Sequence, residues 1–542
     1  MSGKLFKSLG WWSLIGISFS LTNSWLGMAS SLVVGLTNGG PILIVYGLII
    51  AMFFALMCSI AISDFSSMLP NASGPCFWTL KLLSEPLQQE QLQSYGVKTS
   101  ISKEDFEINE NELCPETEEE QLEWYCDTRN VVLRQKWKKN LGLATGLLNY
   151  AGAVFTTSSV CSSLSLSILG VYALMNPQYT FRQWHAFTTY EVLNIFIALV
   201  GCYGKWLPAI SKFGLVASVF SYIMTLLVSI ISRSFNHDAR WPAAKTVFQD
   251  FDNTTRWPPA MTFILGLINP CWGFAGIDSA THMVDDTGYN MSRKLVPKVL
   301  ICNVLLGFFT SFTYSIVMFY CVTDINSVIN SILPIVQIYY QATGNKSLSA
   351  FMQSSCIITG IVCGFSSSTW QNRILWSVSR THLHLCHGEV RKSKLKVLDK
   401  LSTISSPHGI PLYAHVISHF FVLIIGCIFM GSNTAFSAII SACISILYSS
   451  YAVPCAILVF FKGRKSFMDT VIQEQRSLGI NPHRIYKGFL ALVPHTLAIC
   501  WAAFCLIMFA FPYTLPATGG NMNYVCVVYG IVAALVLTIL TI

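Results

Sequence analysis

Twelve apolar runs follow one another along this 542-residue chain, and each is long enough to cross a hydrocarbon core of about 30 Å. Because 53% of the residues are hydrophobic and 11% are charged, the chain is too apolar for a water-soluble protein. The sequence therefore predicts an all-α polytopic membrane protein. The twelve predicted spans are residues 11–35, 41–68, 141–172, 184–203, 207–231, 259–283, 299–322, 349–377, 413–430, 434–461, 489–511 and 521–542.

The distribution of Lys and Arg predicts the orientation, because cytoplasmic loops retain these residues. An even number of spans places both termini on one side of the membrane. With the termini in the cytoplasm, 6 of the 34 Lys and Arg residues face outward and the others face inward. The net charge of +8 therefore indicates topology and contact with lipid headgroups rather than binding of nucleic acid.

Two spans contain stretches rich in small and polar residues, at 14–25 in the first span and 269–278 in the sixth. A membrane helix satisfies its backbone internally, so such a stretch is tolerated where the freed groups face a cavity or a ligand. Spans one to five and spans six to ten each make a set of five, an odd number, so the second set enters the membrane with the opposite orientation. If both sets share one fold, they are inverted repeats in which span one corresponds to span six. The pattern predicts a secondary transporter with a 5+5 inverted repeat, broken helices 1 and 6, and two peripheral helices.

This organisation divides the chain into residues 1–231, 232–461 and 462–542, which hold the first repeat, the second repeat, and the last two helices with the loop before them. The first part includes an acidic cytoplasmic insertion at residues 84–139, with 13 Asp and Glu residues. We expect the insertion to be disordered or partly helical. A solvated loop is the simpler interpretation, and a regulatory or sorting role stays open.

The two breaks supply the candidate substrate site. Asp278 costs at least about 2.5 to 3.5 kcal/mol at bilayer depth unless it is paired or hydrated, so it is a candidate partner for a substrate cation. Aromatic faces after the second break suit an ammonium, and amides exposed in the first break suit a carboxylate. Helix packing is the alternative for the small and aromatic residues. The candidates are Ser18, Ser20, Thr22, Asn23, Trp272, Gly273, Phe274, Gly276 and Asp278.

Glu191 and His282 are candidates for proton coupling. Glu191 lies about two turns into the fourth span, and it is equally compatible with a structural acid bonded to Tyr190 or Asn194. His282 continues the polar run that begins at Asp278.

Other motifs exclude several function classes. The His- and Cys-containing run at 382–387 has no second ligand pair at zinc spacing, so we predict no metal and no cofactor. The chain has no P-loop and no hydrolase motif, and we therefore expect neither an ATP-driven pump nor an enzyme. Among four Asn-x-Ser/Thr sequons, the topology places Asn253 and Asn345 outside, where glycosylation is expected, and Asn71 and Asn290 inside.

Several stretches resemble the fungal amino acid/choline transporter branch of the amino acid-polyamine-organocation superfamily. They are SLTNSW at 20–25, GGPILIVYG at 39–47, GLINP at 266–270, DSATHM at 278–283 and NMNY at 521–524. The resemblance implies the five-plus-five fold, a central site between spans one, three, six, eight and ten, and uptake into the cell across the plasma membrane, driven by the proton gradient. By position, Trp272 resembles the aromatic gate beside the broken sixth helix, and residues 273–276 resemble its unwound strand.

The chain departs from the family pattern at three places. Thr381 stands where an acid usually follows Arg380, and Asp285 and Asp286 stand in place of a Glu-rich loop, which leaves the ion pairing of the cytoplasmic gate open. Met224 stands where some superfamily members have a proton-carrying Lys.

Within that branch, WWSL at 11–14, GLLNY at 146–150 and VCSSLS at 160–165 resemble permeases of the biotin precursor 7-keto-8-aminopelargonate. We therefore expect the cargo to be a small zwitterion with an amine and a distant carboxylate. Choline, 4-aminobutyrate or a polyamine is the alternative cargo. A transporter-like nutrient sensor without significant flux is the alternative of another class.

Overall fold

The computed structural model describes residues 9–83, 118–235, 241–386, 396–462 and 489–541. These residues are largely helical and contain no strand. Seven helices of 20 to 39 residues are long and apolar enough to cross a membrane, and three shorter apolar helices accompany them in this part of the chain. The predicted all-α polytopic class is therefore confirmed at this level.

Eight helices form the first half. The first predicted span is divided among three of them, because the chain changes direction at Asn23 and again at Ser31. They are α1 Trp11–Thr22, α2 Ser24–Ser30, α3 Leu32–Thr37, α4 Pro41–Met68, α5 Pro75–Leu83, α6 Glu118–Met175, α7 Gln183–Gly201 and α8 Leu207–Phe235.

Thirteen α-helices follow in the described part of the second half, and the sixth predicted span is again divided. After the second of its pieces the chain turns irregularly to a short 3₁₀ helix at Ser279–Met283. The α-helices are α9 Ala244–Phe248, α10 Pro259–Gly266, α11 Ile268–Trp272, α12 Val284–Thr287, α13 Tyr289–Cys321, α14 Ile325–Ile329, α15 Pro334–Thr343, α16 Lys346–Cys386, α17 Lys396–Leu401, α18 Leu412–Gly431, α19 Asn433–Ala456, α20 Val493–Met508 and α21 Val525–Thr541.

Two sets of contacts define the ends of the bundle. At one end, called here the Leu9 end, the amide of Leu9 donates to the carbonyl of Asp286 over 3.4 Å. At the opposite end, called the Gly39 end, the amide of Asp252 donates to the carbonyl of Gly39 over 3.2 Å. Helix α4 connects the two ends, and it packs along α13 while α6 packs along α16.

The outer surface of the bundle is apolar. Helix α8 exposes Phe213, Val216, Phe220, Ile223 and Leu227, whereas its Ser211, Ser218 and Ser221 are buried. This inverts the pattern of a water-soluble helix and fits contact with lipid.

Part of the acidic insertion is helical. Helix α6 begins at Glu118, so residues 118–139 continue into the third predicted span without interruption. The expectation of a partly helical insertion is confirmed for these residues, and residues 84–117 lie outside the described part. The side chains of the His- and Cys-containing run at 382–387 also lie outside it.

Candidate functional site

The first predicted break is present and falls at Asn23. Asn23 has φ of 33° and ψ of 54°, in the left-handed region, and separates α1 from α2. A left-handed residue ends an α-helix because its carbonyl no longer points along the helix axis, and Asn tolerates this conformation better than most residues. Residues 18–22 lie inside α1, so their amides bond along the helix. The prediction that amides of the first break are exposed for a carboxylate is therefore wrong for residues 18–22. A new helix begins at Ser24, and its first amides have no partner within that helix.

The polar side chains of the first break point in two directions. Ser20 lies against Gly214 of α8, and the Asn23 amide oxygen accepts a 3.1 Å hydrogen bond from Ser218 on the same helix. Thr22 instead donates to the amide oxygen of Asn303 on α13 over 3.3 Å. Both groups are buried, so the break is enclosed by α8 on one side and α13 on the other.

Three buried hydrogen-bond donors at this break have no partner among the described residues. They are the side-chain amide nitrogens of Asn23 and Asn303 and the hydroxyl of Ser24. The Ser18 hydroxyl is likewise buried without a partner. A buried polar group left without a hydrogen bond costs about 1 to 3 kcal/mol, so such a cluster is a candidate place for a polar ligand.

The second predicted break is also present. Helix α11 ends at Trp272, and the chain then turns through Gly273 to Asp278. Gly276 has φ of 72°, and a side chain there would collide with Leu21 of α1 and contact the ring of Trp370 of α16. Glycine is therefore required at this position, because it alone combines the left-handed backbone with a close approach of two helices.

The aromatic residues of the second break differ in burial. Phe274 is buried, and its ring lies beside Gly307 of α13 and thus close to Ser24. Trp272 is half-buried, and its carbonyl lies close to Gly27 of α2. Gly273 similarly lies against the carbonyl of Ser24. The two broken spans therefore meet backbone to backbone.

Asp278 lies at the centre of the bundle and is fully buried. Its Oδ2 accepts a 2.9 Å hydrogen bond from the side-chain amide of Asn149 on α6, and it lies 3.1 Å from Nε2 of His282. The same amide of Asn149 donates to the hydroxyl of Ser450 on α19 over 3.1 Å. Its Oδ1 has no partner among the described residues.

Other unpartnered polar atoms surround Asp278. Tyr451 of α19 lies beside the carboxylate, and Trp370 of α16 lies beside Gly276. Spans one, three, six, eight and ten, which the family resemblance implied, therefore converge on this turn. The buried atoms near it without a partner in the described part of the chain are Asp278 Oδ1, Asn149 Oδ1, the hydroxyls of Ser279 and Tyr451, and Trp370 Nε1.

Glu191 lies apart from both breaks. It is half-buried on α7, where a side chain at Gly426 of α18 would collide with it. Of the two partners predicted for a structural acid, Asn194 donates a long 3.5 Å hydrogen bond to Oε2 of Glu191. The hydroxyl of Tyr190 instead donates to the carbonyl of Val422. Oε1 of Glu191 is buried without a partner among the described residues, so the proton-carrying role of Glu191 stays a prediction beside the structural one.

Two ion pairs close the Leu9 end, and we call Asp285, Asp286, Arg373 and Arg380 the clamp. Nη2 of Arg373 lies 2.9 Å from Oδ1 of Asp286, with both side chains buried. Nη2 of Arg380 lies 2.7 Å from Oδ2 of Asp285, and this pair is about one-third exposed. The ion pairing that the sequence left open is therefore present.

Burial governs the protonation of Asp286. Desolvation raises the pKa of its carboxyl from 3.8 to about 6, the charge of Arg373 opposes this change, and Asp285 adds to it. The cost of burying the charge thus exceeds the gain from the ion pair, as is common for buried pairs.

The clamp is continued by hydroxyl contacts between α16 and the turn after α4. The hydroxyl of Ser73 donates to the carbonyl of Ser377 over 2.8 Å and lies 2.6 Å from the hydroxyl of Thr381. Thr381, which replaces the acid usual in the family, therefore takes part in closing this end through a neutral contact.

Comparison with known proteins identifies the family. The chain matches the amino acid permease family over residues 9–89 and 128–532. It is 46% identical over 535 residues to the 7-keto 8-aminopelargonic acid transporter of Saccharomyces cerevisiae, a match that covers 98% of this chain and 91% of the relative.

The chain belongs to the amino acid permease family. The permease is also 32% identical over 528 residues to the choline transporter of Saccharomyces cerevisiae, covering 97% of this chain and 79% of the relative. It is 23% identical to the transmembrane transporter swnT of Metarhizium robertsii, covering 97% of this chain and 88% of the relative. Membership of this family and the apolar helices make the permease an integral membrane protein.

Sequence reasoning missed three residues that the permease brings to the turn between Gly276 and Asp278. Asn149, Trp370 and Tyr451 lie within long helices whose rotation about their axes cannot be read from one sequence. A signal was present for Trp370, since it follows the polar run Ser366 to Thr369 inside an apolar span. A polar stripe in a membrane helix indicates the face that turns away from lipid.

Proposed function

We propose that the permease is a secondary active importer of a small amine-containing zwitterion, with 7-keto-8-aminopelargonate as its cargo. The proposal rests on the opposite hydrogen-bonding properties of the two breaks, since the first offers donors and the second offers a carboxylate acceptor. Among the described residues, hydrogen-bond donors without a partner cluster at Asn23, Ser24 and Asn303, and a carboxylate oxygen without a partner lies at Asp278. The name of the 46% identical yeast relative supports the same cargo.

The amine of the substrate meets Oδ1 of Asp278, because an ammonium is the group that satisfies a buried carboxylate oxygen best. The aromatic rings of Trp272 and Trp370 lie along the same turn and offer faces for the charge or for the aliphatic chain. The carboxylate meets the donors at the first break, where Ser18, Ser20 and Thr22 complete the polar surroundings. A zwitterion thus spans the two breaks.

The permease operates as a twelve-span protein of the plasma membrane with both termini in the cytoplasm and a 5+5 inverted repeat. Contacts between corresponding spans of the two sets support the repeat. Helix α4, in span two, packs along α13, in span seven, and α6, in span three, packs along α16, in span eight. The clamp then lies at the cytoplasmic end. Rocking of the bundle opens the clamp and the Gly39 end alternately.

An importer that accumulates its cargo needs an ion gradient when the sequence offers no ATP-binding motif, and the family resemblance implies that this gradient is one of protons. Uptake of radiolabelled 7-keto-8-aminopelargonate into vesicles containing the purified permease tests the proposal. We expect accumulation with an inwardly directed proton gradient and loss of accumulation when the gradient is collapsed. Binding without flux would instead support the sensor.

Choline is the second candidate cargo, because a choline transporter of yeast is 32% identical over nearly the whole chain. Competition for uptake distinguishes 7-keto-8-aminopelargonate from choline as the cargo. Under the main proposal, unlabelled 7-keto-8-aminopelargonate inhibits the labelled uptake at concentrations where choline, 4-aminobutyrate and polyamines do not. Growth of a biotin auxotroph on the precursor, dependent on the permease, tests the same point in cells.

A further inference from the structure

Both ring nitrogens of His282 are engaged. Nδ1 lies 2.6 Å from the carbonyl oxygen of Ala72, in the turn after α4, and Nε2 lies 3.1 Å from Oδ2 of Asp278. The ring is fully buried, and the neighbouring Gly74 leaves room for it, since a side chain there would come within 3.0 Å of Cε1.

These contacts fix the number of protons on the pair. A carbonyl oxygen accepts hydrogen bonds and cannot donate, so Nδ1 carries a hydrogen. The 3.1 Å contact between Nε2 and Oδ2 then needs one further proton, either on the ring or on the carboxyl. Without it, the lone pair of a neutral ring would face a carboxylate and the contact would be repulsive. Asp278 and His282 therefore share one exchangeable proton and carry no net charge in this arrangement.

Burial links that proton to conformation. Removing it leaves one net negative charge on two side chains with no solvent exposure, and an uncompensated buried charge costs several kcal/mol. The enclosed arrangement is therefore stable with the proton bound. In a conformation where water reaches this turn, the proton can leave at a lower cost, because water solvates the remaining negative charge.

We propose that Asp278 and His282 together, through the shared proton between Oδ2 and Nε2, form the proton-coupling site of the permease and hold the cytoplasmic end closed. This inference rests on the proposed function, which supplies the direction of transport and the cargo. The proton enters from the Gly39 end with the substrate, resides between Oδ2 and Nε2, and leaves to water at the Leu9 end when the clamp opens.

The Ala72 carbonyl connects the shared proton to the clamp. It accepts from Nδ1 of His282 and also from the hydroxyl of Ser377 on α16, over 3.0 Å. Loss of the shared proton removes the attraction that holds the ring between Asp278 and Ala72. The ring then leaves the turn after α4, and the contact between that turn and α16 weakens beside the clamp.

Few charged groups compete for this proton. Tyr451 of α19 faces Asp278, and α1 carries no titratable residue. Of the charged groups on α13 and α16, Arg373 pairs with Asp286, Arg380 pairs with Asp285, and Arg293 donates to the carbonyl of Ser67, whereas Lys294, Lys298 and Lys346 are exposed.

The charge of the cargo agrees with this assignment. A zwitterion adds no net charge to a site whose Asp278 and His282 are neutral together, so proton and substrate can be enclosed at the same time. A permanent cation would leave one buried positive charge. Cotransport with a proton through this pair therefore favours a zwitterionic cargo.

A second buried pair provides a matched control. Nε2 of His495 on α20 lies 3.2 Å from Oδ2 of Asp64 on α4, and both side chains are buried. Nδ1 of His495 lies 3.4 Å from the sulfur of Cys455 rather than against a carbonyl, and neither residue belongs to a break. Both are buried pairs of a histidine and an aspartate, and one of them adjoins the proposed substrate site.

The test compares His282→Gln with His495→Gln in vesicles, using radiolabelled 7-keto-8-aminopelargonate. Two assays are needed: accumulation driven by a proton gradient, and exchange of labelled for unlabelled substrate without a gradient. For His282→Gln we expect gradient-driven accumulation to fall at least tenfold toward the level without a gradient, while exchange stays within about threefold of the unsubstituted protein. His495→Gln is expected to retain both activities.

Normal gradient-driven accumulation in His282→Gln, or equal loss in both variants, overturns the inference and leaves the proposed function standing. Absence of exchange in the unsubstituted permease refutes the proposed function itself, before any variant is considered.

A second variant keeps the inference testable if His282→Gln does not fold. Asn149→Asp places a second carboxylate of the same size beside Oδ2 of Asp278, and two adjacent carboxylates raise the proton affinity of the pair. We expect the pH of half-maximal gradient-driven uptake to rise by about one unit or more. An unchanged pH profile in an active Asn149→Asp variant overturns the inference. If Asp278 and His282 had a purely structural role, the pH of half-maximal uptake would not rise.

Discussion

The two oxygens of the Asp278 carboxylate have different surroundings. Oδ2 is bound by Asn149 and faces His282, whereas Oδ1 is buried without a partner in the described residues. The contacts of Oδ2 account for the position of the side chain, and Oδ1 is the oxygen that we propose contacts the substrate amine. A substitution that keeps the shape and removes the charge separates these two contributions.

Asp278→Asn is therefore expected to reduce uptake of 7-keto-8-aminopelargonate about 30-fold or more, because losing one partner of a buried charged contact costs about 2 to 5 kcal/mol. The amide still fills the same volume, so the amount of permease at the cell surface is expected to stay within twofold. Uptake and surface labelling are measured on the same cells. Undiminished uptake would remove Asp278 from the site.

Asp286 gives a pH dependence of stability. Because burial raises the pKa of this carboxyl from 3.8 to about 6, the folded permease binds its proton more tightly than the unfolded chain does. The stabilising contribution is thus fully present below pH 4 and is lost as the pH rises through about 6, amounting to about 3 kcal/mol.

Asp286→Asn removes this titration and keeps an oxygen that accepts from Arg373. Thermal unfolding of both proteins is measured from pH 4.5 to 7.5, and the stability of the unsubstituted permease relative to the variant is expected to fall with rising pH. A relative stability that rises with pH would show instead that the Arg373 ion pair outweighs burial.

At the scale of elements, the two breaks were predicted from composition and are confirmed at Asn23 and at Gly276. Gly, Asn and Pro leave a readable signal because their backbone preferences act locally. The partners of Asp278 and Asp286 left no such signal. Asn149 and Arg373 lie 129 and 87 residues away along the chain, and their contacts depend on how α6 and α16 are rotated and placed.

Gly276 tests whether the second break needs its close contact with α1. Gly276→Ala introduces a left-handed non-glycine residue, which costs about 1 to 2 kcal/mol, and a collision with Leu21 in addition. Gly344→Ala is the matched control, since Gly344 has φ of 64° and nothing within 4 Å of the added carbon.

We expect Gly276→Ala to lower the thermal unfolding temperature more than Gly344→Ala does and to abolish uptake, which Gly344→Ala preserves. Equal effects of the two substitutions would mean that backbone conformation alone matters at the break, and that the approach of α1 does not.

At the scale of the whole molecule, the sequons report the orientation in the membrane, because glycosylation occurs on the outer side. Asn345 and Ser347 are exposed beside the start of α16, at the Gly39 end. Asn253 lies at the same end, but its amide nitrogen donates to the carbonyl of Trp257 over 2.7 Å. Asn71 lies at the Leu9 end, beside Ala72 and the clamp.

With the clamp in the cytoplasm, Asn345 is the expected principal glycosylation site, because its side-chain amide is the more accessible of the two outward sequons. Expression in yeast is expected to give a band that shifts on enzymatic deglycosylation, and Asn345→Gln is expected to remove most of the shift. Asn71→Gln, which alters a sequon of the same Asn-x-Ser type, is expected to leave it unchanged. If Asn71→Gln abolished the shift, the orientation would be the opposite of the proposed one. The clamp would then lie outside, and the proton would leave on the wrong side for import.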